Sequence, residues 1–159
     1  MSKADELFST GDTAEDAGEF DVALRCFQQG AALGDAGCLE RLGAMYYVGN
    51  SVEVDKQFAL HCYRRAWWRG GLCAANNMAI LYREQGDAKA MIRWFKRAIE
   101  RGDEDPRVEL AKCYLNGNGL KRSVSAASEQ LRSALKAQPI NVTDASKEEA
   151  ALLLQTIEA

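Results

Sequence analysis

The chain has a single histidine, His61, and its five cysteines (Cys26, Cys38, Cys62, Cys73 and Cys113) include no C-x-x-C pair. The closely spaced Cys/His sets of zinc sites are thereby excluded, and an odd, scattered set of thiols argues against a disulfide framework. Reduced, buried thiols are expected, with no cofactor and no metal. Only two prolines interrupt 159 residues, and hydrophobic and charged residues at 47% and 27% are globular proportions, so disorder and collagen-like fibre are excluded as well. No window approaches the roughly 18 consecutive apolar residues of a membrane span. The opening MSKADELFSTGDTAED carries acids where a secretory signal carries a basic start and an apolar run. A cytoplasmic protein without membrane contact is therefore expected. Nor is there a surplus of positive charge: the net charge is -3 and the isoelectric point about 5.3, which disfavours general attraction to nucleic acid.

What the chain does have is a repeat. An aromatic-basic-small-Gly block recurs as CFQQGAALG, CYRRAWWRG and WFKRAIERG, ending at Gly34, Gly70 and Gly102, which are 36 and 32 residues apart. A degraded fourth copy, QLRSALKAQ, places Leu131 in the slot of Phe27, Tyr63 and Phe95. A second block precedes the aromatic one: LGAMYYVGN, MAILYREQG and LAKCYLNGNG. Tyr46 lies 17 residues before Tyr63, but Tyr82 lies only 13 before Phe95. The difference falls in the turn, long in GNSVEVD and GNGLKRS and tight in QGDAK; surface loops tolerate such changes. ADELFSTGDTAEDAGEFD supplies a first copy with the tight turn, Gly18 standing where Gly86 does. Periods in the thirties mark stacked helical pairs.

Each unit reads as two helices. Leu42, Gly43 and Tyr46 share one face of the first, and Leu24, Phe27 and Ala31 one face of the second. Gly34, Gly70 and Gly102 fall where a helix ends in a left-handed residue, and Pro106 fits the first turn of the next helix. Small residues at Gly43, Ala66, Ala79, Ala98, Ala111 and Ala134 allow close approach between helices. The expected fold is all-α, an α-α solenoid of about four helix-turn-helix repeats (3–34, 36–70, 72–102 and 105–138) in a single domain spanning 1–159. Ser146 with Glu149 reads as a capping box opening a final covering helix at about 146–158.

These residues resemble the Sel-1-like repeat, a relative of the tetratricopeptide repeat. ERLGAMYYVGNSVEVDKQFALHCYRRAWWRGG follows that family's pattern with Leu42, Gly43, Tyr46, Gly49, Val52, Asp55, Ala59, Tyr63, Ala66 and Gly70 in register. The resemblance implies a right-handed superhelix and a non-catalytic module, acting as adaptor, regulator or antidote (immunity protein), that binds another protein or peptide. It also implies which side chains line the concave groove. In the first copy these are Phe8, Asp12, Glu15 and Asp16, followed by Glu40, Ala44, Tyr47 and Val48. The third copy adds Asn76, Ile80, Arg83 and Glu84, and the fourth Val108, Lys112, Leu115 and Asn116. Their charge runs from acidic to basic, and Tyr47 and Asn76 are the expected anchors.

Other features carry competing readings. Trp68 occupies a slot filled elsewhere by Ala32 and Glu100, and with Arg65 and Arg69 it forms an alternative contact surface. Trp67, aligned with Ala31 and Ile99, reads as core. The basic residues of the second helices (Arg64, Arg65, Arg69, Arg93, Lys96, Arg97 and Arg101) raise a nucleic-acid alternative. Ser133 and Lys136 match the S-x-x-K of β-lactam-reactive serine enzymes, to which some cysteine-rich relatives of the repeat have been linked; no S-D-N or K-T-G follows. His61 reads as a helix-surface residue, and Asn141-Val-Thr143 as a turn rather than a glycosylation site.

Overall fold

The computed structural model describes all residues, Met1–Ala159, and consists of nine α-helices without strands. In chain order these are α1 (Lys3–Asp16), α2 (Phe20–Ala32), α3 (Ala36–Val48), α4 (Lys56–Trp68), α5 (Ala74–Glu84), α6 (Ala88–Glu100), α7 (Pro106–Asn116), α8 (Val124–Lys136) and α9 (Asp144–Glu158). The all-α repeat fold is as the periodicity predicts. The chain forms two compact units, Met1–Leu81 and Tyr82–Ala159.

One hydrogen bond recurs in all four hairpins and shows why turn length does not matter. The first residue before each second helix donates its N–H to the carbonyl in the Tyr46 slot. Glu19 reaches Ala14 at 2.8 Å, Asp55 reaches Tyr46 at 2.9 Å, Asp87 reaches Tyr82 at 2.9 Å and Ser123 reaches Tyr114 at 3.0 Å. Long and tight turns thus deliver the second helix to the same place. Asp55, Asp87 and Ser123 also cap their helices, their side chains accepting from Phe58, Ala90 and Ala126. Gly34, Gly70 and Gly102 have φ of +82°, +87° and +93°, left-handed values that close the connection into the following repeat.

In the first unit the core is built on rings lying over bare helix backbone. Phe27 and Tyr63 are buried, and a methyl group on Gly11 or Gly43 would meet those rings at 2.6 and 2.7 Å. Gly30 likewise admits the buried Cys38 side chain between α2 and α3. Trp67 is buried, as its slot predicts.

In the second unit Val108, Ala111, Ala127, Leu131, Ala134 and Ala150 form a core against which Leu153, Leu154 and Ile157 of α9 pack. The final helix covers the last repeat as expected, but its start differs. Thr143, not Ser146, is the N-cap: its hydroxyl accepts the Ser146 N–H at 3.2 Å, while Asp105 holds Thr143 through both N–H and hydroxyl. Glu149, the other half of the expected capping box, pairs instead with Lys112 of α7. One cysteine also departs from expectation: Cys38, Cys62 and Cys113 are buried and Cys26 is half-buried, but Cys73 is exposed at the start of α5.

Candidate partner-binding site

Part of the first-helix face of the first unit forms a hollow. Phe8 of α1, Gly37, Glu40, Arg41 and Ala44 of α3, and Cys73 and Asn77 near the start of α5 enclose about 360 Å³. Three of these, Phe8, Glu40 and Ala44, are expected groove residues. Phe8 rests on Gly37, where a Cβ would meet its ring at 2.8 Å, and its ring centre lies 6.3 Å from that of Phe27. Glu40 reaches out of α3 to cap α5: its Oε1 accepts the Cys73 N–H at 2.9 Å, and Ala74 donates to the same carboxylate. Burial pushes the Glu40 pKa upward, with the Cys73 and Ala74 amides and Arg41 acting the other way.

Arg41 is the residue that the groove pattern missed. It forms an ion pair with Asp12 and a second, at 3.5 Å, with Glu15. Arg41, Asn77 and Glu109 occupy the same slot, immediately before Leu42, Met78 and Leu110. The pairing repeats in the second unit, where Arg83 donates to Glu109 at 2.8 Å. The first helices are therefore tied to one another along the slots assigned to a partner. The signal was available in the sequence: like the expected groove slots, this one changes character from copy to copy.

The remaining expected residues are placed unevenly. Asp16 and Val48 are exposed, and Tyr47 is half-buried with the Lys56 ammonium 5.4 Å above its ring. Asn76 and Ile80 are half-buried on α5, and Glu84 and Asn116 are exposed. Val108 is corrected: it is 2% exposed and belongs to the core beneath α9. Leu115 packs against that core, and Lys112 is paired to Glu109 at 2.7 Å and to Glu149 at 2.6 Å. Burial alone would lower the Lys112 pKa, but these two carboxylates raise it on balance. Three of the four α7 slots are thus engaged by the chain's own core and last helix, and Asn116 alone stays exposed. The expected acidic-to-basic gradient is also largely cancelled, because Asp12, Glu15, Arg83 and Lys112 all have internal counter-charges.

On the opposite helices Trp68 is 79% exposed. Arg65 and Arg69 turn back onto the C-terminal end of α2, donating to the Ala31 carbonyl at 3.1 Å and the Gly34 carbonyl at 3.4 Å. Favourable interaction with the negative end of that helix accounts for the arrangement. In the second unit the Arg97 guanidinium lies 4.6 Å from the ring centre of Trp94. Ser133 is half-buried and Lys136 exposed, one turn apart on α8, and His61 is exposed beside Phe58. No helix is long and apolar enough to cross a membrane.

A family model described as Sel1 repeat matches residues 8–35, 36–66, 74–103 and 108–127, more than half of the chain. No curated protein matches. Among solved structures, that of a Sel1 repeat protein from Oxalobacter formigenes is similar over 87% of this chain and 55% of its own, with a TM-score of 0.71 and 25% identity. A protective antigen present in uropathogenic Escherichia coli strains, displaying an SLR fold, is similar over 86% of this chain and 40% of its own, with a TM-score of 0.62 and 16% identity. The chain spans about half the length of these structures or less.

Proposed function

From the premise that the chain belongs to the Sel1 repeat family, whose members generally serve as non-catalytic scaffolds for protein–protein interaction, we propose that it holds a protein or peptide on the first-helix face of its first unit. The observation that carries this reading is the hollow shared by α1, α3 and the start of α5. It is concave, it mixes one aromatic wall with a few polar groups, and side chains from three elements meet there, as ligand sites require. Tyr47, farther along α3, supplies a ring for buried contact. Asn76 supplies an amide that both donates to and accepts from a peptide backbone. In this role the chain acts as an adaptor, a regulator or an antidote according to the partner it holds.

Affinity capture from the native host with the wild-type chain and with Tyr47→Ala and Asn76→Ala tests the reading. Each substitution is expected to weaken the specific partner about tenfold, ~1.4 kcal/mol, with the thermal midpoint unchanged. A second reading is favoured by the exposure of Trp68. If both groove variants bind normally and Trp68→Ala abolishes binding, the partner sits on the second helices and the first-helix face is not the site.

A further inference from the structure

We propose that the hollow between α1, α3 and α5 is a side-chain socket for an arginine or lysine of the partner segment. The inference rests on the first-helix face being the partner surface, and it goes further by naming what the surface selects.

The charges around the hollow do not balance. Asp12, Glu15, Asp35 and Glu40 stand on or beside it against the single guanidinium of Arg41. Arg41 is engaged by Asp12 and Glu15, and Asp35 caps α3 through the Cys38 N–H at 2.7 Å. Glu40 differs from Asp12 and Glu15 in having no arginine on it, and from Asp35 in lining the hollow itself. Its partners are neutral backbone amides at the start of α5, so its carboxylate is half-buried with no cation bonded to it. A half-buried carboxylate gains most from an incoming cation, because the desolvation it has already undergone makes the new attraction stronger than at an open surface.

The other walls suit the same guest. Phe8, held against Gly37, gives an aromatic side for the methylene stem or the cationic head. Ala44 keeps the adjoining wall small, and the Asn77 side chain adds a carbonyl acceptor at the rim. A volume near 360 Å³ admits one long side chain, and excludes a folded element. An acidic side chain would meet Glu40 directly, and an aliphatic one would bring no charge to offset that of the carboxylate.

The full chain and four blocked tripeptides test the proposal: acetyl-Gly-Arg-Gly-amide and its Lys, Leu and Glu counterparts, at constant ionic strength. Backbone amide shifts at Gly37, Cys73 and Asn77 report occupancy, and the alkylation rate of the exposed Cys73 gives an independent reading. The Arg and Lys peptides are expected to shift those amides and slow Cys73 alkylation, and the Leu and Glu peptides to do neither. Glu40→Gln retains an oxygen for the Cys73 N–H, so α5 keeps its cap while the charge is lost; affinity for the Arg peptide should fall about tenfold. Circular dichroism of the variant checks that the fold is kept, and Asp12→Asn, which removes one of the two carboxylates on Arg41 and one negative charge beside the hollow, provides a second variant expected to weaken binding. Equal shifts from all four peptides, preference for the Glu peptide, or undiminished binding by both variants would overturn the proposal. If a protein partner depends on Tyr47 and Asn76 but the basic peptides do not bind, the socket is wrong and the functional reading stands. If the basic peptides bind but no partner depends on that face, the socket stands and the reading fails.

Discussion

Tyr63 lies over Gly43 with no space for a methyl group between ring and backbone. Two opposing effects act on Gly43→Ala. Alanine is the better helix former by about 1 kcal/mol, but overpacking a filled site costs about 1–3 kcal/mol. A Cβ that would meet ring carbon at 2.7 Å makes the second effect the larger, so the substitution should lower the thermal midpoint. Tyr63→Ala removes the ring itself and should cost roughly 3–5 kcal/mol. Thermal denaturation of the two variants checks both; a midpoint raised by Gly43→Ala would mean that the ring does not occupy this slot. The buried cysteines belong to the same packing scheme. Burial pushes the Cys38 thiol up to about 12 and Cys62 to about 11, so both are protonated spacers at neutral pH. The aromatic and small slots were legible in the sequence because they recur. The exposure of Cys73 was not, because the stretch that carries it, Gly71-Leu72-Cys73, lies ahead of the periodic part of α5 and follows no repeated pattern.

At the scale of elements, the hydrogen bond from each second helix to the Tyr46-slot carbonyl explains why the 13- and 17-residue spacings give the same hairpin. Helix ends were harder to read than helix faces. Ser146-x-x-Glu149 satisfies the capping-box pattern, but Thr143 stands three residues ahead with the same chemistry, and the surroundings decide between them. Asp105, at the start of α7, binds both polar groups of Thr143, while Lys112 draws Glu149 toward α7. Both determinants come from residues more than 30 positions away, beyond the reach of a local pattern. Thr143→Ala should therefore cost about 1 kcal/mol or somewhat more, as for other lost caps, and Ser146→Ala much less. Denaturant titrations of the two variants distinguish them. Equal effects would return the cap to Ser146. The burial of Val108 has the same origin: the groove pattern counts positions within a first helix and carries no information about what packs on it next.

At the scale of the whole molecule, the two basic stripes of the second helices give the nucleic-acid alternative its only support, and the structure assigns much of that charge to other work. Arg65 and Arg69 bond to carbonyls at the end of α2, and Arg97 stacks on Trp94. Over the whole chain acids are in excess, with 23 acidic residues against 20 lysines and arginines. Phosphate-driven binding depends on many cations free to displace counterions, and it falls steeply with salt in proportion to their number. Arginines already directed at backbone carbonyls contribute less to such a count. Mobility-shift titrations with duplex DNA and single-stranded RNA should thus show no retardation at physiological ionic strength. A protein partner held at the hollow should respond in another way. Raising salt should slow its association, since the excess of carboxylates over Arg41 around the hollow would steer a basic segment, but should leave much of the affinity, which the proposed contacts of Phe8 and Tyr47 would supply. Kinetic binding measurements over a salt series separate the two. A retarded nucleic-acid band whose affinity drops steeply with salt, and which Arg93→Glu with Lys96→Glu abolishes, would move the function to the outer face.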